Sequence, residues 1–309
     1  MILLARLLPA LLLLAPALIA QQPPPPPAPS GVAQPSQATT PQAPAQNAFT
    51  IDENVPYGNV QGHELQLDIY RPASTDPRPA VILIHGGGWT SFDKSTMRTM
   101  GQFLARQGFI AFAVDYRLFH DGQNRWPAQL DDVQRAVRWV RANAAKYNVN
   151  PDRMGAFGHS AGAQLAALLG MEDTRDNSDP ALAKYSSRVQ AVVDVSGPTD
   201  FTTHHDADGV AFLTSFLGAD YAKQPDLWKQ ASPAFHAAKD NAPFLILRGT
   251  RDQEVPLAQS QELADKLKAA GVPVTFIQVD DVHTFQTPEA RRRLAFESLE
   301  FFNRTLAAK

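Results

Sequence analysis

The sequence predicts one large α/β domain, doubly wound around a mostly parallel sheet, and three observations carry that reading. Apolar stretches recur along the chain, and most of the later ones are continuous runs of Val, Ile, Leu, Phe and Ala, as strands buried on both faces require. Amphipathic stretches of helical period separate them. This alternation calls for right-handed crossovers, and therefore for helices on both faces of one sheet.

The first fifty residues stand outside the pattern. "MILLARLLPALLLLAPALIA" (1–20) carries one Arg6, an apolar run broken by Pro9 and Pro16, and a small-residue exit at Ala15-Pro16-Ala17 or after Ala20. That pattern is a secretory signal peptide; a membrane anchor needs about 20 uninterrupted apolar residues. The chain has no cysteine, which excludes a lipoprotein cleavage site, disulfides, thiolate chemistry and cysteine-based zinc sites. Residues 21–50, rich in Pro, Gln and Ala, lack the apolar surface that offsets chain entropy and read as an extended, disordered linker. The expectation is an exported bacterial protein, periplasmic or extracellular, with no stable membrane insertion after cleavage.

From residue 51 to 309 the elements follow in order. Strands are expected at 65–70, 80–86, 109–116, 153–158, 189–197, 243–249 and 274–280, and helices at 96–107, 127–147, 161–171, 257–270 and 288–306. Gly108 and Gly271 follow helices as C-terminal caps, and "NPDR" (150–153) turns into a strand. Asp115 and Arg117, at the end of a strand, are expected to pair and anchor the loop there. The interval 200–240 holds no clear strand but many aromatics, and reads as a small helical cap insertion over the C-terminal strand ends. Loops at that edge carry function, so Phe212 and Phe216 are expected in a substrate pocket, with Trp89 and His159.

Bulk charge narrows the partners. A formal net charge of −3 leaves no electrostatic footprint for nucleic acid. Arg291-Arg292-Arg293 reads as a solvated helix face, and "HHDAD" (204–208) lacks the i, i+4 spacing of a helical metal motif, so no metal site is expected.

The chemistry gathers at "FGHSAGAQLAALLG" (157–170). Ser160 stands directly after a strand candidate and before a helix, the setting of a nucleophile elbow. Gly158 and Gly162 remove side chains where strand and helix meet, and the helix aims its first amides at the site. A serine hydroxyl needs a base. His204, His205, His236 and His283 follow Ser160, and His159 adjoins it. His283 is the best placed, in a loop just past the last strand. Asp252, in the loop after the preceding strand, is the acid that would orient it, with Glu254, Asp280 and Asp281 as competitors. "HGGGW" (85–89) ends another strand, and its glycines let backbone amides approach a developing oxyanion, together with the amide of Ala161. His85 is expected to fix this loop by hydrogen bonds rather than to act as a base.

These motifs together resemble the esterase/lipase branch of the α/β-hydrolase superfamily. The nearest resemblance is to its deacetylase/feruloyl-esterase-like group, related to hormone-sensitive-lipase-like carboxylesterases and kynurenine formamidases. The similarity extends over residues 51 to 306. It implies a sheet of about eight strands with a small cap, a catalytic Ser160, Asp252 and His283, and oxyanion donors at Gly87 and Gly88 with Ala161. It also implies no cofactor, and a substrate that is a small-molecule or polysaccharide-linked ester, short-acyl or aryl, such as an acetyl or feruloyl ester. Three departures stand out: Ala163 where glycine is common, Arg248 in "RGT" where histidine is common, and "DDVHTF", which sets two carboxylates beside the base. Were Asp281 to approach the imidazole, it would raise the pKa of His283. Two other readings use the same machinery or fold: an aryl-formamidase or peptidase-type amide hydrolase, and an inactive hydrolase-fold binding protein.

Overall fold

The computed structural model describes residues 48–203 and 205–306. The expected signal peptide, all but the last three residues of the expected linker, and His204 of "HHDAD" lie outside the described residues.

Among the described residues, eight strands form one sheet in the order β1-β2-β4-β3-β5-β6-β7-β8. They are β1 (Phe49–Val60), β2 (His63–Pro72), β3 (Arg78–Ile84), β4 (Ile110–Val114), β5 (Val149–His159), β6 (Ala191–Val195), β7 (Phe244–Gly249) and β8 (Val274–Val279). From β4 through β3 to β8 every pairing is parallel, while β1 and β2 join antiparallel at one edge. The α-helices among the described residues are α1 (Arg98–Arg106), α2 (Ala128–Ala142), α3 (Ala144–Tyr147), α4 (Ala161–Met171), α5 (Ala207–Leu217), α6 (Pro225–Gln230), α7 (Leu257–Ala269) and α8 (Pro288–Thr305).

Strand β1 is the element that the sequence did not announce. Its register slips between Asp52 and Val55 and between Pro56 and Gly58, so the period-two alternation that marks a half-buried strand is broken twice. Phe49 and Thr50, expected in the linker, already belong to it.

The sheet divides the interior into two cores. Residues Ile82, Ile84, Ala156, Val192 and Ile246 face α2, α4 and α7, while their neighbours Val81, Leu83, Phe157, Val193 and Leu245 face α1 and α8. Two-faced burial is why these strands read as continuous apolar runs. Helix α4 is buried along its whole length, which explains its near-absence of polar residues.

One expected pairing is replaced by two others. The Arg117 guanidinium grips Asp132 of α2 at 2.8 Å instead of Asp115. Asp115 accepts the backbone amide of Lys94 at 2.8 Å and faces the Lys94 ammonium at 3.3 Å. Helix α2 supplies a carboxylate facing the loop after β4, and this the linear sequence does not disclose.

Asp194 lies in the middle of the sheet, on β6 beside Gly158 of β5. Its Oδ1 accepts the Gly197 amide at 2.9 Å, while Oδ2 has no hydrogen-bond partner among the described residues. Burial pushes its carboxyl up to about 6, against the opposing effect of that one amide. The folded state therefore favours the protonated form. That stability is fully present below the unfolded pKa and is lost as pH rises through about 6. Asp194→Asn should accordingly stabilise the protein at pH 8 by on the order of 2 kcal/mol and have little effect near pH 4. Thermal unfolding at the two pH values checks this; an equal shift at both would contradict it.

Candidate active site

Ser160 follows β5 and precedes α4 with φ 55° and ψ −122°, a backbone conformation that side-chain-bearing residues rarely adopt. The surrounding glycines allow it. A Cβ on Gly158 would lie 2.1 Å from the Gly162 carbonyl oxygen, and one on Gly162 would lie 2.2 Å from that of Ile84. Strand, turn and helix are thus in backbone contact, and no larger residue fits at either position. The Ser160 amide donates to the Val195 carbonyl at 2.8 Å, tying the turn to β6.

The loop after β3 comes against the serine at Gly86, a residue the sequence reading passed over in favour of Gly87 and Gly88. A Cβ on Gly86 would lie 2.9 Å from the His159 carbonyl oxygen and 3.2 Å from Ser160 Cβ. Gly87 and Gly88 both have positive φ, 101° and 57°. At Gly87 a Cβ would also collide with the Ser91 carbonyl oxygen, at 2.1 Å. The Gly87 carbonyl is turned toward residues 90 and 91, accepting both their amides. Beneath this loop His85 is buried, its Nδ1 2.8 Å from the Gly86 carbonyl and its ring stacked on Tyr116 at 4.3 Å. Burial lowers its pKa, so it remains neutral scaffolding.

His283 stands past β8, and its Nδ1 is 2.9 Å from Asp252 Oδ2. Asp252 Oδ1 accepts the amides of Glu254 and Val255 at 2.9 and 3.0 Å. Burial pushes the Asp252 carboxyl up, but the hydrogen bond from His283 and these amides outweigh it and hold the group below its ordinary value. An ionised Asp252 only accepts, so Nδ1 carries the proton and Nε2 is left free to act as a base. That Nε2 is buried and has no hydrogen-bond partner among the described residues.

None of the three competing carboxylates takes the place of Asp252 at Nδ1. Asp280 pairs with Arg251 at 3.0 Å. Asp281 turns away from the imidazole and accepts the Thr287 hydroxyl at 2.6 Å and amide at 2.8 Å, which holds its pKa low. Glu254 is exposed and lies on the Nε2 side of His283, at 3.7 Å. Arg248 is buried behind the acid, with Nη2 donating to the Asp252 carbonyl at 3.3 Å and Nη1 3.8 Å from Oδ2.

His159, next to the serine, does something its sequence position did not suggest. Its Nε2 is 3.0 Å from the His283 carbonyl oxygen, so the residue before the serine holds the loop of the base. Burial lowers its pKa to about 4, which makes it a neutral donor at neutral pH.

A cavity of about 990 Å³ opens at this place, lined by Gly86, Gly87, Gly88, His159, Glu254 and His283 among others. Of the four residues expected in the pocket, only His159 lines it. Trp89 is 5% exposed and stacks on Phe216 at 4.8 Å, with Phe212 and Phe201 around it. Its indole donates to Gln164 Oε1 at 3.1 Å, and Gln164 donates to the Ala231 carbonyl at 2.8 Å. The cap aromatics therefore clamp the cap onto the glycine loop as part of the core beside α4, while the cavity opens beside α1 and α8. Trp89, Phe212 and Phe216, expected in the pocket, instead serve packing between the cap and the glycine loop.

Comparison with known proteins agrees with this geometry. The BD-FAE family model matches residues 67–267. The probable carboxylic ester hydrolase LipM of Mycobacterium tuberculosis is 32% identical over 241 residues, 75% of this chain and 55% of that protein. Esterase LipQ of the same organism is 32% identical over 238 residues, 74% of this chain and 56% of its own length. The chain thus spans about half the length of these curated relatives. Among solved structures, butyrate-bound esterase Est2 of Thermogutta terrifontis superposes with a TM-score of 0.73 at 26% identity, covering 86% of this chain and 98% of that one. A truncated carbohydrate esterase from gut microbiota gives 0.72 at 30% identity, covering 86% and 100%. With the family model matched from β2 to the end of α7, and an esterase fold around the Ser160 turn, this chain belongs to the BD-FAE family.

Proposed function

We propose that the protein is an exported serine hydrolase that cleaves carboxylic esters through an acyl-enzyme, with Ser160, His283 and Asp252 as its triad. The carrying observation is one cavity lined by the three-glycine loop, by His159 next to the strained Ser160 turn, and by a histidine whose Nδ1 is committed to Asp252. Ser160 Oγ attacks the ester carbonyl while His283 Nε2 takes its proton, and Asp252 stabilises the imidazolium. The amides of Gly87, Gly88 and Ala161 donate to the oxyanion, helped by the N-terminal end of α4. On collapse His283 returns the proton to the leaving alcohol, and water then releases the acid by the same steps. Acetyl and feruloyl esters of polysaccharides are the proposed natural substrates, supported by similarity to a carbohydrate esterase. Export is supported by the apolar run and small-residue exit of residues 1–20.

Three outcomes are expected. Ser160→Ala should lower kcat for p-nitrophenyl acetate by at least about 10⁴-fold and abolish labelling by a fluorophosphonate, read by intact mass; near-normal turnover would sink the mechanism. Gly86→Ala should lower kcat on the order of 10²-fold, because its Cβ forces the glycine loop off the serine; circular dichroism verifies that the fold survives. His159→Ala should lower kcat roughly tenfold, the loss of one positioning hydrogen bond. Because His159 titrates at about 4, it is neutral from pH 6 upward, and that loss should be uniform between pH 6 and 9. A pH–rate profile that changes shape would point instead to a charge on His159.

A further inference from the structure

The cavity lined by the glycine loop, His159 and His283 does not end at them. It continues as a groove between α1 and α8, with Phe157 of β5 among its lining residues. Met100 and Phe103 line it from α1, and Leu294, Phe296 and Leu299 from α8. Thr99 and Met100 precede Phe103 by four and three residues, as Ala295 and Phe296 precede Leu299, and all of them line the cavity, so one stripe of each helix faces the groove. The lining stretch from Thr96 to Gln107 spans about 16 Å at 1.5 Å per residue. An acetyl group at Ser160 leaves nearly all of that length empty.

Water-exposed apolar surface in such a place needs an occupant. Phe92 and Phe296 line this cavity yet remain 65% and 60% exposed. The nearby cations do not convert it to a polar site: Arg292 is paired with Glu289 and Arg291 donates to the Gln286 carbonyl. Two features favour a substrate group over a protein partner. The groove is one cavity with the glycine loop and His283, so whatever lies in it is connected to the reacting centre. It is also concave, mostly apolar, and of the size that small-molecule sites have.

We propose that the groove between α1 and α8 is a subsite for an extended apolar group of the ester, an alkyl chain or linked ring, entering past the glycine loop and His283. This assignment rests on the ester-hydrolase reading but departs from its acetyl-polysaccharide substrates, in favour of esters that carry a long apolar group. The same chemistry can arrive on either side of the ester bond, as a long acyl chain or as a long alcohol.

Two homologous series separate these sources: p-nitrophenyl esters from acetate to dodecanoate, and alkyl acetates from methyl to decyl, both with the full-length protein. In one series kcat/KM should rise about two- to fourfold per methylene, mainly through KM, over the first several carbons. Ala295→Trp, which fills the groove, and Phe296→Asp, at an exposed position, should each cut the long-to-short kcat/KM ratio at least tenfold. Ratios that stay flat in both series, or that neither variant alters, overturn the proposal. Binding of octanol to the Ser160→Ala protein, measured by calorimetry, separates the two readings. Octanol bound there and lost in the Ser160→Ala/Ala295→Trp protein, while no ester is cleaved by the unaltered enzyme, upholds the groove and refutes the hydrolase. Acetyl esters cleaved without octanol binding uphold the hydrolase and refute the groove.

Discussion

Backbone-to-backbone contact at the end of β5 is the constraint on which the rest of the site depends. With Gly158 against Gly162, and Gly162 against the carbonyls of Ile84 and His85, strand, helix and neighbouring strand end share one small volume. That closeness holds Ser160 in a strained positive-φ conformation at the start of the helix. The strain is held because both sides of the turn are anchored, by the buried α4 and by the Ser160 amide on β6. The glycine loop then has a fixed surface to rest on, and Gly86 is the residue that rests there.

The second dependence runs through histidine. His159, next to Ser160, holds the carbonyl of His283, so Ser160 and His283 are referenced to one short segment. Asp252 receives two backbone amides besides the imidazole, and Arg248 secures its carbonyl from behind. His283 is therefore fixed through its main chain as well as its ring, leaving only Nε2 uncommitted. Such preorganisation lets donors and acceptors stabilise developing charge without reorganising during the reaction.

Much of this was legible in the residues. Strands β2 to β8 announced themselves as apolar runs, and Ser160, Asp252 and His283 could be picked out because each follows such a run. Where local pattern and tertiary position disagree, the sequence was mute. The two bulges of β1 erase its alternation, and the pairing of Arg117 with Asp132 depends on where α2 docks. Trp89, Phe212 and Phe216 looked like pocket residues because aromatic rings suit both pockets and cores, and only the three-dimensional neighbour decides between them. The groove was hidden for a related reason: the apolar stripes of α1 and α8 look like ordinary core faces until the two helices are seen side by side.

The aromatic clamp has a consequence for how this architecture can change. Trp89, Gln164 and the Ala231 carbonyl fasten the cap to the glycine loop within the core beside α4, while the cavity opens along α1 and α8. Fastening and access are thus assigned to different sides of the sheet. A cap can lengthen, shorten or acquire a new partner surface, provided one ring still lies on Trp89, without narrowing the entrance. Conversely, exchanges along two exposed helical stripes can redirect substrate choice with no effect on the strained turn. The chain separates what must be kept from what is free to vary by the thickness of a single sheet.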